Sequence, residues 1–263
     1  MWELILPFLG FLAAIFAVMT GVGGGVFFVP LLTLAYGFMP AQAVGTSLLV
    51  IVFSGLSASV SYAKQKQIFF KTGLLLAVAT IPGTVVGAFL TSVLPGAVLG
   101  LVFGVFLSIV AIRMITTSEI FRRRKTEQVH LKVVESEREL FDDKKRFAIG
   151  FGLSFFAGLV SSLLGIGGGA LLVPIMSLVM LMPIHAVVAT SMFTMIFTSL
   201  SGVAQHYTLG NIDFAYALLL IVGAIVGAQL GAWLSKKISG ATLRIIFAVV
   251  LIIVSVQMII KFI

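Results

Sequence analysis

Apolar residues occupy long, nearly continuous runs of this chain, and polar residues are confined to short intervals between them. A helix of about 20 apolar residues is long enough to cross the hydrocarbon core of a bilayer. The hydrophobic content of 60% and the charged content of 10% are typical of chains that lie largely in lipid. The pattern therefore predicts an all-α polytopic membrane protein.

Two of the apolar runs contain nearly the same glycine-rich element. It reads GVGGGVFFVP at residues 21–30 and GIGGGALLVP at residues 165–174, which is an offset of 144 positions. The same offset aligns further pairs along the chain: Thr46-Ser47 with Thr190-Ser191, Ile68 with Ile212, Gly83 with Gly227, and Gly87 with Gly231. Similarity at one fixed offset indicates two homologous halves.

A charged segment separates the two halves. Residues 117–146 hold nine of the seventeen basic residues and seven of the nine acidic ones, so this segment must lie in water. Basic residues at both of its ends place it in the cytoplasm by the positive-inside rule. We expect a first transmembrane repeat at 1–116, a cytoplasmic linker at 117–146 and a second repeat at 147–263, in the plasma (inner) membrane.

Equivalent loops of the two halves differ in charge. Three lysines lie near 62–71, whereas the counterpart near 206–213 has no lysine or arginine. In the second half the basic residues follow the next apolar run instead: Lys236, Lys237 and Arg244. Equivalent loops are therefore expected on opposite sides of the membrane, which is the charge pattern of an inverted repeat with both termini external.

The glycine elements are expected to break helices. An uninterrupted helix over residues 3–38 would be about 50 Å long, and a bilayer core is about 30 Å thick. Glycine adopts positive φ without strain, so a tight turn fits there. We expect 3–38 and 147–183 each to form a helical hairpin or a re-entrant pair, followed by three spans, with eight to ten membrane segments in total.

Candidate substrate-binding residues cluster in sequence around these breaks. Irregular backbone at membrane depth persists only where protein or water satisfies its polar groups, and free amides at a helix start attract anions. Hydroxyl and amide donors therefore suggest a small oxyanion as the ligand. The candidates are Gly21, Gly23, Gly24, Gly25, Gln42, Thr46, Ser47, Gly165, Gly167, Gly168, Gly169, His185, Thr190 and Ser191, with Thr20, Ser161 and Ser162 as further nearby polar residues.

Some of these residues have a structural alternative. Small residues also let membrane helices pack closely, and the serines and threonines are open to that interpretation. A structural or gating role is expected for six positions: Pro30, Pro174, Gly83, Gly87, Gly227 and Gly231. Asp213 follows Gly-Asn and opens an apolar run, so we expect it to cap a helix; its repeat partner is Phe69.

Several function classes lack their signatures here. Apart from Glu3 and Asp213, every carboxylate lies in the linker, so no buried acid is available for ion coupling. A histidine, protonation of the substrate, or the membrane potential stays open as a driving force. We expect no metal and no cofactor, because the chain has no cysteine, no cluster of metal-ligating residues and no phosphate-binding loop. We expect no nucleic acid, because the basic residues lie beside apolar spans. The expected partners are a small anion and the bilayer, and a homo-oligomer stays open.

The doubled GxGGGxxxVP element, followed by AVGTS or VVATS and later by PGTVVGAFL or GAIVGAQLGAWL, resembles the sulfite exporter TauE/SafE family. The resemblance covers both halves without the linker. It implies a permease of bacteria and archaea for small sulfur-containing anions such as sulfite, sulfoacetate or other organosulfonates, working as an exporter. Members of that family are described with about eight spans.

The main hypothesis is therefore a secondary carrier, not an enzyme, in which two inverted halves enclose a site at the membrane midplane. Alternating access would move one half against the other. Two rivals stay open: a channel-like pore for small anions, and a membrane scaffold that binds a soluble partner through the linker. Saturable transport with counterflow favours the carrier over the pore.

Overall fold

The computed structural model describes residues 5–124 (backbone alone from 113), 137–235 and 252–263. Every regular element within these ranges is a helix. The helices are α1 Leu6–Thr20, α2 Gly25–Pro30, α3 Pro40–Lys64, α4 Phe70–Val93, α5 Gly96–Arg124, α6 Glu137–Asp142, α7 Lys144–Leu164, α8 Gly169–Pro174, α9 Ile184–Thr208, α10 Phe214–Leu234 and α11 Ile252–Phe262. The predictions for Glu3, Lys236, Lys237 and Arg244 lie outside the described residues.

Within the described residues, five helices are long and apolar enough to cross a membrane. They are α3, α4, α7, α9 and α10, each 21 to 25 residues long. Shorter apolar helices accompany them, including α1 and the described apolar part of α5, Gly96–Ile112. The prediction of an all-α, multi-pass membrane protein is therefore confirmed.

Both glycine elements interrupt helices where the sequence predicts. Helix α1 ends at Thr20 and α7 ends at Leu164, and the glycines that follow them, Gly21 and Gly165, have left-handed φ values of 70° and 69°. Glycine adopts this conformation without the steric cost that a side chain imposes. The next helices, α2 and α8, begin only four residues later. The interruptions therefore arise from the local conformation of glycine.

The proline of each element widens the helix that follows. Pro30 and Pro174 end α2 and α8, which continue directly as π-helical turns at Leu31–Ala35 and Ile175–Val179. Proline has no amide hydrogen, so the regular i to i−4 bond is lost at that position. A π-helical turn is one local adjustment that restores bonding around such a gap. Each half thus carries the same short, irregular helix after its glycine turn.

Helices of one half pack mainly on helices of the other. Helix α1 lies along α10, and α4 lies along α7. A β-carbon on Gly227 would overlap the carbonyl oxygen of Phe11, and one on Gly83 would overlap that of Phe155. Only glycine lets the backbones approach this closely. The packing role expected for these two glycines is consistent with this geometry, and Gly87 and Gly231 face the oxygens of Leu159 and Ile15 in the same way.

Helices α3 and α9 form the buried centre and run antiparallel. Gly45, near the start of α3, faces Asn211 and His206 near the end of α9. Gly55, further along α3, faces Ile196 and Met192, which are closer to the start of α9. Their apolar residues are largely buried in the core. The two central helices are therefore repeat equivalents that pass each other in opposite directions.

The linker is anchored to the first half by its last helix. Helix α5 continues to Arg124, beyond the expected linker start at 117, and α6 resumes at Glu137 with Leu140 fully buried. Glu137 Oε1 accepts hydrogen bonds from the Thr72 amide at 2.7 Å and the Thr72 hydroxyl at 3.0 Å. A carboxylate at this amide, in the first turn of α4, caps that helix.

The second half caps the equivalent helix with its own residue. Asp213 Oδ1 accepts from the amides of Ala215 and Tyr216 at 3.0 and 3.1 Å, which confirms the predicted cap. Tyr216 is the repeat partner of Thr72, and Phe69 occupies the position of Asp213 in the first half. Glu137 therefore supplies from the linker the carboxylate that the first repeat lacks.

We expect Glu137→Ala and Asp213→Ala to destabilise the protein to a similar extent, by about 1 kcal/mol each, since each removes one helix cap. For a chain of this size that corresponds to a fall of about 2–4 °C in the unfolding midpoint. Thermal unfolding in detergent measures it, with the exposed Asp142→Ala as the control for loss of a linker charge. An unchanged midpoint for Glu137→Ala would show that the linker does not cap α4.

Candidate functional site

The two glycine turns lie directly against each other at the centre of the protein. A β-carbon on Gly25 would overlap the carbonyl oxygen of Gly165, and one on Gly169 would overlap that of Gly21. Gly23 lies in the same contact, because a β-carbon there would come within 2.6 Å of the Ile166 carbonyl oxygen. The structure thus brings together the two elements that the sequence places 144 residues apart.

Serine hydroxyls from the central helices bind the two turns. Ser47 Oγ on α3 donates to the carbonyl oxygen of Gly165 at 2.7 Å. Ser191 Oγ on α9 donates to that of Gly21 at 3.0 Å. Both serines are fully buried. Each half therefore binds the turn of the other half through the same residue of its repeat.

The neighbouring threonines make a second reciprocal pair. Thr190 Oγ1 accepts from the amide of Phe69 at 3.0 Å, and Thr46 Oγ1 accepts from the amide of Asp213 at 3.0 Å. These amides precede α4 and α10, so each threonine fixes the start of a helix in the opposite half. The Thr-Ser pairs thus organise the interface between the halves, and their predicted contact with substrate stays a prediction.

Gln42 and His185 occupy the starts of the central helices. Gln42 is the third residue of α3 and is partly buried, whereas His185 is the second residue of α9 and is exposed. Both therefore lie nearer the helix ends than the Thr-Ser pairs. His206, in contrast, is fully buried near the end of α9, and its Nε2 lies 3.0 Å from the Ser162 carbonyl oxygen.

Buried hydroxyl groups surround the second turn, and sequence reasoning identified only some of them. Ser199 Oγ would lie 3.2 Å from a β-carbon on Gly167. Thr198 and Thr80 hydroxyls lie 2.7 Å apart and are fully buried. Ser199 could have been identified from the sequence, because its repeat partner is Gly55 and the hydroxyl therefore occurs in the second half only. Position-by-position comparison of the halves shows this difference.

An apolar cavity of about 420 Å³ lies beside the short helix that follows the first glycine turn. It opens between α1, α2 and α11 and is lined mainly by leucine, phenylalanine, valine and alanine side chains. Such a lining offers an anion almost no hydrogen-bond donors. The turn region, with its amides and hydroxyls, is therefore the better candidate for binding a polar ligand.

The sequence profile described as sulfite exporter TauE/SafE matches residues 6–258. The chain belongs to the sulfite exporter TauE/SafE family. It is 32% identical to the probable membrane transporter protein YunE of Bacillus subtilis (strain 168), over 97% of this chain and 96% of that protein. The family resemblance predicted from the paired glycine motifs is confirmed.

Two further relatives support the same assignment. A probable membrane transporter protein of Methanocaldococcus jannaschii is 29% identical over 94% of this chain and 93% of that protein. The probable membrane transporter protein YjnA of Bacillus subtilis is 27% identical over 92% and 93%. No solved structure matches the chain significantly. This TauE/SafE family member is therefore a membrane transporter and not an enzyme.

We expect Gly25→Ala to destabilise the fold strongly, because its methyl group would displace the opposing turn at Gly165. Overpacking of this kind costs about 1–3 kcal/mol. Gly96→Ala is the matched control: it also lies at a helix start, and its nearest neighbour, Pro40 Cδ, would be 3.6 Å from the new carbon. Thermal unfolding in detergent compares the two variants. Equal midpoints would mean that the turns are not in contact.

Proposed function

We propose that this protein is a secondary transporter for small sulfur-containing anions, such as sulfite, sulfoacetate or related organosulfonates, and that it exports them by alternating access. The observation that carries the proposal is the contact of two irregular glycine turns, buried among hydroxyl groups, at the interface of the halves. Discontinuous helices at a repeat interface are the usual site of substrate in secondary transporters.

The two halves are inverted repeats in this proposal. Support comes from α3 and α9, which are repeat equivalents and run antiparallel past each other. Further support comes from the reciprocal hydrogen bonds, in which Ser47 and Ser191 exchange partners between the halves. A two-fold relation between inverted halves produces such pairs of equivalent contacts.

The protein lies in the plasma membrane with the linker in the cytoplasm and both termini outside. The contact between Glu137 and Thr72 supports this arrangement, because it joins the end of the linker to the lysine-rich loop between α3 and α4. Both are then on the cytoplasmic side, as the positive-inside rule requires. The equivalent loop between α9 and α10 lies outside.

The sequence pattern suggests that one half moves against the other. The packing of the helices supports a different movement in this proposal, in which two bodies that each combine helices from both halves move against each other. Helix α1 packs closely on α10, and α4 packs closely on α7, through glycines that permit backbone contact. Such tightly packed pairs are expected to move as units. Their relative movement would open the glycine turns to one side and then to the other.

Single cysteines test the inverted topology, and the native chain contains none. Lys64 and Thr208 are repeat equivalents, and both are exposed. We expect a membrane-impermeant maleimide to label Thr208→Cys in intact cells, whereas Lys64→Cys reacts only after the membrane is permeabilised. Labelling of both cysteines from the same side would refute the inverted arrangement.

Transport itself is tested with purified protein in proteoliposomes. We expect saturable uptake of labelled sulfite or sulfoacetate, accelerated counterflow when unlabelled anion is loaded inside, and a response to an imposed membrane potential. Saturation without counterflow would favour the channel-like pore. Absence of flux for both anions, in liposomes where the protein is folded, would reject sulfur anions as the substrate class.

A further inference from the structure

The two glycine turns share a position in the fold but have different surroundings. The second turn is bordered by Ser161 on α7 and Ser199 on α9. Their repeat partners in the first half are Ala17 and Gly55, neither of which carries a hydrogen-bonding side chain. The turns also differ in backbone conformation, since Gly168 has a φ of 86° and its repeat partner Gly24 has a φ of −67°. The halves therefore share an architecture but differ in the conformation of the turns and in the chemistry around them.

Each serine lies beside one glycine of the second turn. Ser199 Oγ would lie 3.2 Å from a β-carbon on Gly167, so this hydroxyl faces the turn. Ser161 Cβ would lie 3.5 Å from a β-carbon on Gly168. Gly167 and Gly168 both have left-handed φ values, 75° and 86°. Residues from α7, α9 and the turn thus converge on one small region.

Packing around Gly168 is tight, but it is less close than the contact between the two turns. The atom nearest to a β-carbon on Gly168 would be the Ala157 carbonyl oxygen at 3.3 Å, whereas β-carbons on Gly25 and Gly169 would overlap the opposing turn. Thr198 Cγ2 would lie 3.6 Å away and forms part of the wall. The Thr198 hydroxyl is hydrogen-bonded to the Thr80 hydroxyl, 2.7 Å away.

The hydroxyls of Ser161 and Ser199 have no hydrogen-bond partner among the described residues, although both serines are fully buried. A buried polar group without a partner destabilises the folded protein, so such groups are uncommon unless something else satisfies them. An anion oxygen accepts hydrogen bonds from hydroxyl and amide groups without needing a formal positive charge nearby. These two groups are therefore available to a ligand.

We propose that the anion binds on one side only, at the second turn, where Ser161 and Ser199 donate to its oxygens beside Gly167 and Gly168. This inference rests on the proposed function, since the ligand is the transported anion. The first turn then acts as a structural counterpart that holds the second in place. The Ser162 hydroxyl is also buried without a partner among the described residues, but it faces Gly202 of α9, 3.5 Å from a β-carbon there, and we place it outside the site.

The test uses Ser161→Ala and Ser199→Ala in the full chain. It measures the unfolding temperature without anion and the anion concentration that gives half-saturation. Without anion, each variant is expected to unfold at the same temperature as the wild type or higher, because an unpartnered buried hydroxyl has been removed. With sulfite or sulfoacetate, the half-saturating concentration for thermal stabilisation and for uptake is expected to rise about tenfold or more, since each lost bond is to a charged group.

Ser59→Ala is the matched control. Ser59 on α3 is also a buried serine, 8% exposed, whose hydroxyl has no partner in the described part of the chain, and it does not border the second turn. This variant is expected to keep the wild-type half-saturating concentration.

The outcomes separate the inference from the function on which it rests. If the wild type takes up the anion, and if Ser161→Ala and Ser199→Ala have the same half-saturating concentration as Ser59→Ala, the one-sided site is wrong. The transporter assignment would then remain intact. A lower unfolding temperature without anion would overturn the inference as well, because it would show that the hydroxyls serve the protein. Wild-type protein that neither binds nor transports either anion would overturn the proposed function first.

Discussion

Direct backbone contact between the two glycine turns is the constraint on which the arrangement of the other helices depends. Gly25 lies against Gly165, and Gly169 against Gly21, with no room for a single added carbon. The turns are therefore fixed by each other as much as by their own helices. Because each turn belongs to a different half, neither half can form this centre alone.

The helices around the centre continue this mutual dependence. The serine that binds each turn comes from the opposite half, and so does the helix that packs on α1 or on α7. A further pair of equivalent contacts lies within each half and involves residues of different types. Tyr62 donates to the Val18 carbonyl oxygen at 3.0 Å, and its repeat partner His206 contacts the equivalent oxygen of Ser162 at the same distance. The carbonyl oxygens at these two equivalent backbone positions thus accept hydrogen bonds from different side chains in the two halves.

Side-chain chemistry departs from this regularity in two places. At the linker, the carboxylate of Glu137 replaces a cap that the first repeat lacks, which ties a polar segment to the transmembrane helices. At the second turn, hydroxyl groups occupy positions that are alanine or glycine in the first half. The two halves thus share an architecture but differ in side-chain chemistry at the linker contact and at the second turn.

The sequence by itself determined the class of protein, the doubling and the positions of the helix breaks. Apolar runs of bilayer length, one constant offset and glycine's access to positive φ are local properties, so they can be read from residue order. It also identified Asp213 as a cap, because the side chain lies next to the amides that it binds. The family followed from the motifs themselves.

Only the tertiary structure decided which residues meet. The pairing of Ser47 with Gly165, and of Thr190 with Phe69, joins residues more than 100 positions apart. Such contacts depend on how helices cross, and no local pattern encodes a crossing. The role of Glu137 was equally hidden, since its charge resembles that of every other linker carboxylate. The sequence also could not show that the hydroxyls of Ser161 and Ser199 have no partner among the described residues, because this depends on every residue that surrounds them in the fold.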